Sequence, residues 1–174
     1  MSKKTLSSQK DAHLQEPWAG IFDLPFGKLG VKTRFEENSL FISEVSYLQK
    51  EATVAPQNAL AKSFIDQVNR YFEDPSYVFD LPLMIKGTTF QRRVWEKINT
   101  IQAGQTISYG ELAKLITSGP RAIGGACGAN PYPLIVPCHR VVAKTGIGGF
   151  MQQAGHGYYQ NIKTWLLKHE GIQL

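Results

Sequence analysis

The sequence contains little cysteine and no long hydrophobic run, and both absences narrow the class of protein. Only two of its 174 residues are cysteines, Cys127 and Cys138. No apolar stretch approaches the roughly 18 residues that cross a membrane, so no transmembrane segment is predicted. The amino terminus is charged but lacks a following apolar stretch, so it does not read as a signal peptide. We therefore expect a cytoplasmic protein with no membrane partner.

The two cysteines also exclude a disulfide framework and a common zinc site. A structural disulfide is not expected in a reducing compartment. Cys127, Cys138, His139 and His156 do not reproduce the C-x-x-C or H-x-x-x-H spacing of zinc ligands, so no metal is expected. Each cysteine is therefore either a small buried hydrophobe or a reactive thiol.

The composition that is present is globular, with a mild positive excess. Hydrophobic residues make up 43% and charged residues 19%, which is not the composition of a disordered chain. The net charge of +5 fits a polyanionic partner such as nucleic acid. Residues 86–114 carry five basic side chains against two acidic ones. Charge alone does not identify DNA, since many basic proteins bind none.

The first half of the chain predicts a small unit of strands and one helix. Residues 1–16 are polar and are expected to form a flexible tail. Apolar residues alternate over 29–35 and return over 40–45, which predicts a strand hairpin. An apolar face at helical spacing over 60–72 predicts a helix. We expect an N-terminal α/β domain over 17–85, and nothing in it indicates chemistry.

The second half, residues 86–174, predicts a series of helices. Thr88 and Gln91 have the spacing of a capping box at the start of the first helix. Ser108 is expected to cap a second helix over 109–116, with Leu112, Leu115 and Ile116 facing inward. A third short helix is expected over 121–128, although its three glycines each cost about 1 kcal/mol relative to alanine.

The second and third of these helices enclose a glycine-containing turn, as in a helix-turn-helix. The third helix carries one basic residue, Arg121, and otherwise a smooth face. It lacks the several Asn, Gln or Arg side chains that read base edges in a major groove. This favours contact driven by shape, as in a minor groove. A glycine-rich packing helix inside an enzyme is equally consistent with the spacing.

Residues 130–142 hold the densest signal in the chain. Three prolines make this segment rigid, and residues 134–136 predict a short buried strand. Cys138 and His139 follow directly, and they resemble a nucleophile and its base. Neighbouring residues of an extended chain point to opposite faces, so His139 can reach Cys138 only through a turn or a bridging water. A buried cysteine beside a structural histidine is the alternative at this point.

Five short segments then occur in a fixed order through the second half of the chain. They are TFQRRVW at 89–95, ISYGELA at 107–113, RAIGGA at 121–126 followed by Asn130-Pro131, PCHRV at 137–141, and WLLKHEG at 165–171. From about residue 90 to the carboxyl terminus the chain resembles the O6-alkylguanine-DNA alkyltransferases, also called methylated-DNA–protein-cysteine methyltransferases. The N-terminal half resembles that family only in layout.

The resemblance implies an α+β fold in two parts. The first is an RNase H-like small sheet with helices. The second, over 86–174, is a winged helix-turn-helix-like domain that binds DNA and accepts the alkyl group. The implied partner is double-stranded DNA that contains O6-alkylguanine, and the implied state is a monomer.

The resemblance also implies a mechanism that needs no cofactor. Cys138 takes the alkyl group by direct displacement, and each molecule reacts once because the thioether is stable. His139 acts as general base through a water, and Glu170 orients its ring. A free thiol has a pKa of about 8.5, so such help is needed near neutral pH.

Three further side chains have implied catalytic roles. Asn130 hydrogen-bonds near the nucleophile and ties it to the recognition helix. Tyr109 donates a proton as guanine leaves, and Lys163 supports the charge of the thiolate.

The implied DNA contacts lie mainly on the third helix. Arg121 fills the gap left by a flipped nucleotide, because the alkylated oxygen is hidden in the base stack. Ala122 and Ala126 lie against the minor groove, and Gln91 and Lys144 are further DNA contacts. Cys127, in the same helix, is interpreted as a small packing residue.

The implied substrate lid consists of Gly148, Gly149 and Phe150. Two departures from the family occur here. The segment 146–163 is longer than the family's lid, and Met151 stands where a small polar residue is usual.

Two rival functions stay open on the sequence. A Cys-His-Glu hydrolase that works through a thioester uses the same Cys138 and His139, but it needs an oxyanion hole and turns over. A binding module that recognises damaged DNA without repairing it needs the helices but not the thiol.

Overall fold

An antiparallel sheet of three strands opens the fold. The computed structural model describes residues 16–151 and 157–174. Strands β1 (Gly20–Leu24), β2 (Gly27–Glu36) and β3 (Ser39–Leu48) pair in the order β1-β2-β3. The predicted hairpin is confirmed.

A tight turn joins β2 and β3. It consists of Glu37 and Asn38, both in the left-handed region with φ of 47° and 65°. Two successive residues of this kind match the turn type whose twist suits a β-hairpin. Glu36 pairs with Ser39 next to the turn, and Phe35 pairs with Leu40 one position further along the ladder.

Helix α1 (Ala59–Glu73) packs against this sheet. The Asn58 side chain caps it by accepting a hydrogen bond from the Ala61 N–H. Its buried face includes Phe64, Val68 and Tyr71, at the helical spacing that the sequence predicted. The predicted helix is therefore confirmed, and its buried face points Tyr71 towards the second half of the chain.

In the described part of the second half there are four helices, a 3-10 turn and a short parallel strand pair. In chain order these are α2 (Thr89–Ile98), β4 (Ile107–Ser108), α3 (Tyr109–Ile116), α4 (Pro120–Gly128), the 3-10 turn (Cys138–Arg140), β5 (Val141–Val142) and α5 (Tyr158–His169). In the described part of the chain, no helix combines the length and apolar character that crossing a membrane requires.

Two capping boxes fix where α2 and α3 begin. Thr88 and Gln91 exchange side-chain and backbone hydrogen bonds at α2, and Ser108 and Glu111 do so at α3. Helix α3 ends at Thr117, whose φ of 58° is left-handed, and α4 then packs against α3. The predicted starts of α2 and α3 are both confirmed. Helices α3 and α4 together form the predicted helix-turn-helix.

One predicted core position of α3 is wrong. The buried stripe consists of Leu112, Ala113 and Ile116, whereas Leu115 is 60% exposed. At 100° per residue, Leu115 lies roughly 100° from the centre of that stripe, which places it on the solvent side. An apolar residue near the edge of a helical face cannot be assigned by its type alone.

The predicted strand over 134–136 is also wrong. The segment is a tight turn in which the Val136 N–H donates to the Tyr132 C=O at 2.8 Å, and Leu134 has a φ of 74°. Leu134 and Val136 are buried, which explains why this turn has the apolar sequence of a strand. The prolines at 131, 133 and 137 have no N–H to donate to a strand ladder, so a turn suits them better. This turn leads directly into the 3-10 turn that carries Cys138.

Two matched substitutions in α3 test this packing. We expect Leu112→Ala to lower the free energy of unfolding by about 2–5 kcal/mol, because it removes a fully buried side chain. Leu115→Ala removes the same atoms from an exposed position, so its effect should stay within about 0.5 kcal/mol. Urea denaturation followed by tryptophan fluorescence measures both. Equal losses for the two variants would contradict the placement of Leu115 on the surface.

Candidate active site

Cys138 begins the 3-10 turn and is only 3% exposed. Its Sγ atom lies 3.3 Å from Asn130 Nδ2, which also donates to the Val136 C=O at 3.0 Å. The Asn130 Oδ1 atom accepts from the Tyr132 N–H at 2.9 Å. Since its oxygen is committed to a backbone donor, the amide must present its NH2 group to the sulfur. The site therefore holds a fixed hydrogen-bond donor against the thiol.

Beside the thiol, three donors converge on the buried carboxylate of Glu170. His139 Nε2 lies 2.7 Å from Oε1, and the Tyr71 hydroxyl donates to the same oxygen at 2.7 Å. Arg140 donates to both oxygens, from NH2 at 2.9 Å and from Nε at 3.0 Å. Tyr71 comes from α1, so the N-terminal half of the chain contributes directly to this cluster.

These contacts determine the protonation states of Glu170 and His139. Burial opposes the charge on Glu170, but the hydrogen bonds from His139 and Arg140 outweigh it and lower the carboxyl pKa to about 2. A carboxylate only accepts hydrogen bonds, so His139 must carry its proton on Nε2. Burial lowers the pKa of His139 below its ordinary value, which favours the neutral ring. Nδ1 then bears a free lone pair.

The Nδ1 atom of His139 is buried and has no hydrogen-bond partner among the described residues. A buried polar atom without a hydrogen-bond partner costs about 1–3 kcal/mol. We therefore expect Nδ1 to be kept free for a functional role. Cys138 is the preceding residue in the same 3-10 turn. The arrangement suits a base that acts through one water.

Each of the two cysteine thiols shifts the pKa of the other. The hydrogen bond with Cys127 and burial both raise the pKa of Cys138, while the Asn130 amide and the Lys163 ammonium lower it. The same hydrogen bond lowers the pKa of Cys127. The resting Cys138 thiol therefore keeps its proton, so it needs a base before it can act as a nucleophile.

Lys163 and Tyr109 complete the polar part of the site. Lys163 Nζ donates to the C=O groups of Val141 at 2.7 Å and Gly149 at 2.9 Å, and it lies 3.5 Å from the Tyr109 oxygen. Burial lowers the pKa of Lys163 to about 8. Burial also raises the pKa of Tyr109, whose hydroxyl donates to the Gly149 C=O at 3.1 Å. Both Lys163 and Tyr109 carry a proton at neutral pH, and each can donate it to a neighbouring acceptor.

A cavity of about 500 Å³ gives access to this chemistry. It lies between α4 and the lid segment, and its walls include Cys127, Cys138, Tyr109, Arg121 and Phe150. Another cavity, of about 570 Å³, is lined by residues of the segments 75–83 and 134–137, with neither cysteine nor His139 in its wall. Of these two cavities among the described residues, the one beside α4 has cysteine thiols in its wall.

Of the predicted lid residues, Gly149 and Phe150 line this cavity, and Gly148 precedes them in the chain. Gly148 has a φ of 79°, and a Cβ atom there would stand 3.0 Å from the Tyr109 ring, so glycine is required. Gly149 holds Lys163 and Tyr109 through its C=O group. Phe150 is buried and packs on Tyr47, with ring centroids 5.9 Å apart. The later lid residues 152–156 lie outside the described residues.

Of the predicted DNA contacts on α4, the structure exposes two and buries one. Arg121 and Ala122 are exposed at the start of the helix, and Arg121 also reaches the cavity. The prediction for Ala126 is wrong, because it is 2% exposed and packs into the core. Its C=O group accepts from the Trp95 Nε1–H at 2.8 Å. On a 3.6-residue helix Ala126 turns towards the buried side, and Gly125 is exposed in its place.

The remaining predicted DNA contacts lie on different elements. Lys144 is exposed in the loop after β5. Gln91 is half-buried, and its Oε1 accepts from the Thr88 N–H at 2.9 Å within the capping box. Gln91 thus has a structural role that explains its presence, and contact of either residue with DNA stays a prediction.

Sequence reasoning missed three residues of the site. Tyr71 was assigned only to a helix core, although a buried tyrosine usually finds a partner for its hydroxyl, and this was the available signal. Arg140 lies in the PCHRV segment but received no role. Cys127 was interpreted as packing, and nothing local to the sequence shows that its thiol meets Cys138.

A buried thiol followed by a histidine, beside a helix-turn-helix, indicates a DNA-associated enzyme whose reaction involves a cysteine. Comparison with known proteins makes the class specific. Residues 89–172 match the model of the DNA-binding domain of 6-O-methylguanine DNA methyltransferase. A probable methylated-DNA–protein-cysteine methyltransferase of Acanthamoeba polyphaga mimivirus is 36% identical over 147 residues, or 82% of this chain and 91% of the relative. The chain belongs to the methylated-DNA–protein-cysteine methyltransferase family.

Two further relatives bear on how far the likeness extends. A methyltransferase of this name from Thermococcus sibiricus is 45% identical over 93 residues, 52% of this chain, and the match spans only 50% of that relative. The crystal structure of Mycobacterium tuberculosis O6-methylguanine methyltransferase is 34% identical, with a TM-score of 0.70 over 86% of this chain and 90% of that one. The α+β fold expected from the sequence is confirmed.

The buried carboxylate predicts a specific acid dependence. Because folding lowers the Glu170 pKa from 4.5 to about 2, its contribution to stability is complete above pH 4.5 and is lost as the pH falls towards 2. We expect Glu170→Gln to remove up to about 3 kcal/mol of this dependence. Urea unfolding at several pH values between 5 and 2.5 measures it.

The matched control is Glu73→Gln, which removes a charge from the exposed end of α1. It should keep the wild-type slope of unfolding free energy against pH. An unchanged slope in the Glu170→Gln variant would contradict the ionised, buried state of Glu170.

Proposed function

We propose that this protein repairs DNA directly, by moving the methyl group of O6-methylguanine in a duplex onto Cys138. The transfer is irreversible and stoichiometric, because the thioether that forms is not hydrolysed. The observation that carries the proposal is the Cys138 thiol at a cavity wall, next to a buried histidine whose Nδ1 has no partner among the described residues. Membership of the family supports the same conclusion.

The reaction follows from the groups around the sulfur. A water relays the Cys138 proton to His139 Nδ1, and Glu170 stabilises the imidazolium that results. The Sγ–carbon bond forms as the bond between carbon and O6 breaks. The leaving guanine takes a proton from the Tyr109 hydroxyl. Lys163 Nζ, 3.5 Å away, can replace that proton, and a lysine pKa of about 8 suits such a transfer.

The methylated oxygen lies inside the base stack, so the nucleotide has to leave the duplex before it can reach Cys138. We propose that α4 approaches the minor groove, with Ala122 against it and Arg121 in the space left by the flipped nucleotide. The smooth surface of α4 supports a close approach, and the exposure of Arg121 at the cavity mouth supports its role. Lys144 and Gln91 are proposed as further contacts.

We also propose that residues 17–85 and 86–174 act as two domains of one monomer. The C-terminal domain binds DNA and accepts the alkyl group. The N-terminal domain supports it, since Tyr71 donates its hydrogen bond to Glu170 from α1. Lid residues Gly148, Gly149 and Phe150 bound the alkyl group within the cavity.

Intact mass spectrometry tests the transfer. We expect one methyl group to be added to the protein after mixing with a duplex that carries O6-methylguanine, with peptide mapping to Cys138. The gain should stop at one methyl per molecule even with excess DNA. Cys138→Ala should show no gain while still binding the duplex, because the DNA-facing residues are intact.

Two outcomes would overturn the proposal and favour a rival. Repeated turnover without a lasting mass change would indicate a hydrolase. Binding of the methylated duplex with no mass change in the wild type would indicate a module that recognises damage only.

A second experiment tests the role of Arg121. We expect Arg121→Ala to slow methyl transfer from duplex DNA roughly tenfold or more, because the cost of base flipping is a few kcal/mol and is no longer offset. Reaction with free O6-methylguanine should change far less. Rates come from quenched time courses read by mass.

Arg70→Ala is the matched control, since it removes the same charge from an exposed site on α1. It should leave both rates at the wild-type value. An equal slowing of duplex and free base by Arg121→Ala would show that Arg121 serves the cavity and not the extrusion of the nucleotide.

A further inference from the structure

Cys127 is a buried nucleophile that the proposed reaction does not use. It lies near the end of α4 and is exposed by only 7%. It lines the same cavity as Cys138, and neither cysteine is in a disulfide. A small molecule that enters this cavity therefore meets two free thiols.

The two thiols are held together by more than proximity to a cavity. Asn130 connects the Cys127 backbone to the Cys138 side chain, because its N–H donates to the Cys127 C=O at 3.2 Å and its side-chain Nδ2 lies 3.3 Å from Cys138 Sγ. Each thiol also shifts the pKa of the other, and Cys127 raises that of Cys138. Two thiols that line one cavity can reach the bond length of about 2 Å in a disulfide by side-chain rotation.

The charge around the pair favours one thiolate. The Lys163 ammonium favours the ionised form of both thiols, and their mutual hydrogen bond stabilises a single negative charge. A thiolate, unlike a thiol, reacts with peroxides. The site thus has the three parts of an oxidation centre: an ionisable sulfur, a second sulfur in the wall of the same cavity, and an opening for a small oxidant.

We propose that Cys127 and Cys138 form an oxidation site, in which a hydroperoxide converts the pair into a reversible disulfide. One thiolate attacks an oxygen of the peroxide, the S–O bond of a sulfenic acid forms as the O–O bond breaks, and hydroxide leaves from hydrogen peroxide or an alkoxide from an organic hydroperoxide. The second thiol then attacks the sulfenic sulfur, the S–S bond forms, and water leaves. The peroxide is reduced by two electrons, and the two thiols lose two electrons and two protons in total.

The consequence concerns the proposed function, on which this part of the inference rests. Each molecule can accept one methyl group on Cys138, so irreversible oxidation of that thiol before transfer would inactivate the protein. An isolated sulfenic acid proceeds to sulfinic acid, which thiol reductants do not reverse. A disulfide with Cys127 stops that progression and returns Cys138 upon reduction.

The test uses the full-length protein and hydrogen peroxide. After treatment, the remaining thiols are blocked with iodoacetamide and the intact mass is measured without reductant. We expect a mass lower by two hydrogens, no alkylated cysteine, and a peptide in which Cys127 is joined to Cys138. Methyl transfer from an O6-methylguanine duplex should be lost and should return to its starting value after dithiothreitol. The mass result does not depend on methyl transfer, so failure of the repair proposal would be recognised separately.

Two variants provide the comparison, Cys127→Ser and Cys127→Ala. In both we expect peroxide to add two oxygens to Cys138, and dithiothreitol should not restore the original mass. Each is compared with its own untreated sample, and circular dichroism confirms that it is folded. Serine keeps the size and polarity of the side chain, so a shared result assigns the effect to the sulfur.

Three results would overturn the inference. One is accumulation of sulfinic acid in the wild type as fast as in Cys127→Ser. Another is a wild-type protein in which both thiols stay open to iodoacetamide after peroxide. The third is a disulfide that joins two chains instead of Cys127 and Cys138 of one chain.

Discussion

The buried carboxylate of Glu170 is the constraint on which the site depends. An ion removed from water costs several kcal/mol unless hydrogen bonds replace its hydration. Tyr71, His139 and Arg140 supply those bonds from α1 and from the 3-10 turn. The hydrogen bond from His139 Nε2 to Glu170 fixes the tautomer of His139. This tautomer leaves Nδ1 unprotonated, on the residue next to Cys138. The buried charge of Glu170, which is costly for stability, therefore determines which nitrogen of His139 can act as the proposed base.

Helix α4 joins the surface of the protein to this interior. Arg121 and Ala122 are exposed at its start, whereas Ile123, Ala126 and Cys127 are buried on its other side. Asn130 follows at its end and holds the sulfur of the nucleophile. One short helix thus carries a solvent-facing surface on one side and part of the cavity wall on the other. Small residues suit both tasks, because they permit close approach outward and tight packing inward.

Interactions between residues close in sequence predicted the helices and strands. The arrangement of the site depends on contacts between residues far apart in sequence, which the sequence does not reveal. Capping boxes place Thr88 and Ser108 at helix starts because the interactions involve residues three apart. The segment 134–136 misled the prediction because buried turns and buried strands are equally apolar. Tyr71 could not be assigned, since its partner is 99 residues away. The resemblance of PCHRV to a known family identified Cys138 and His139, but not the thiol of Cys127, which meets Cys138 only after α4 is in place.

The distance along the chain between Tyr71 and Glu170 has a consequence for biosynthesis. Cys138 and His139 leave the ribosome before α5 does, and Glu170 follows at the end of that helix. Until α5 docks, His139 has no carboxylate to orient it and Tyr71 has no acceptor. A nascent chain therefore exposes a cysteine of ordinary reactivity. On the proposed mechanism the thiol gains its base only once α5 has docked, so an incompletely synthesised chain should not transfer a methyl group.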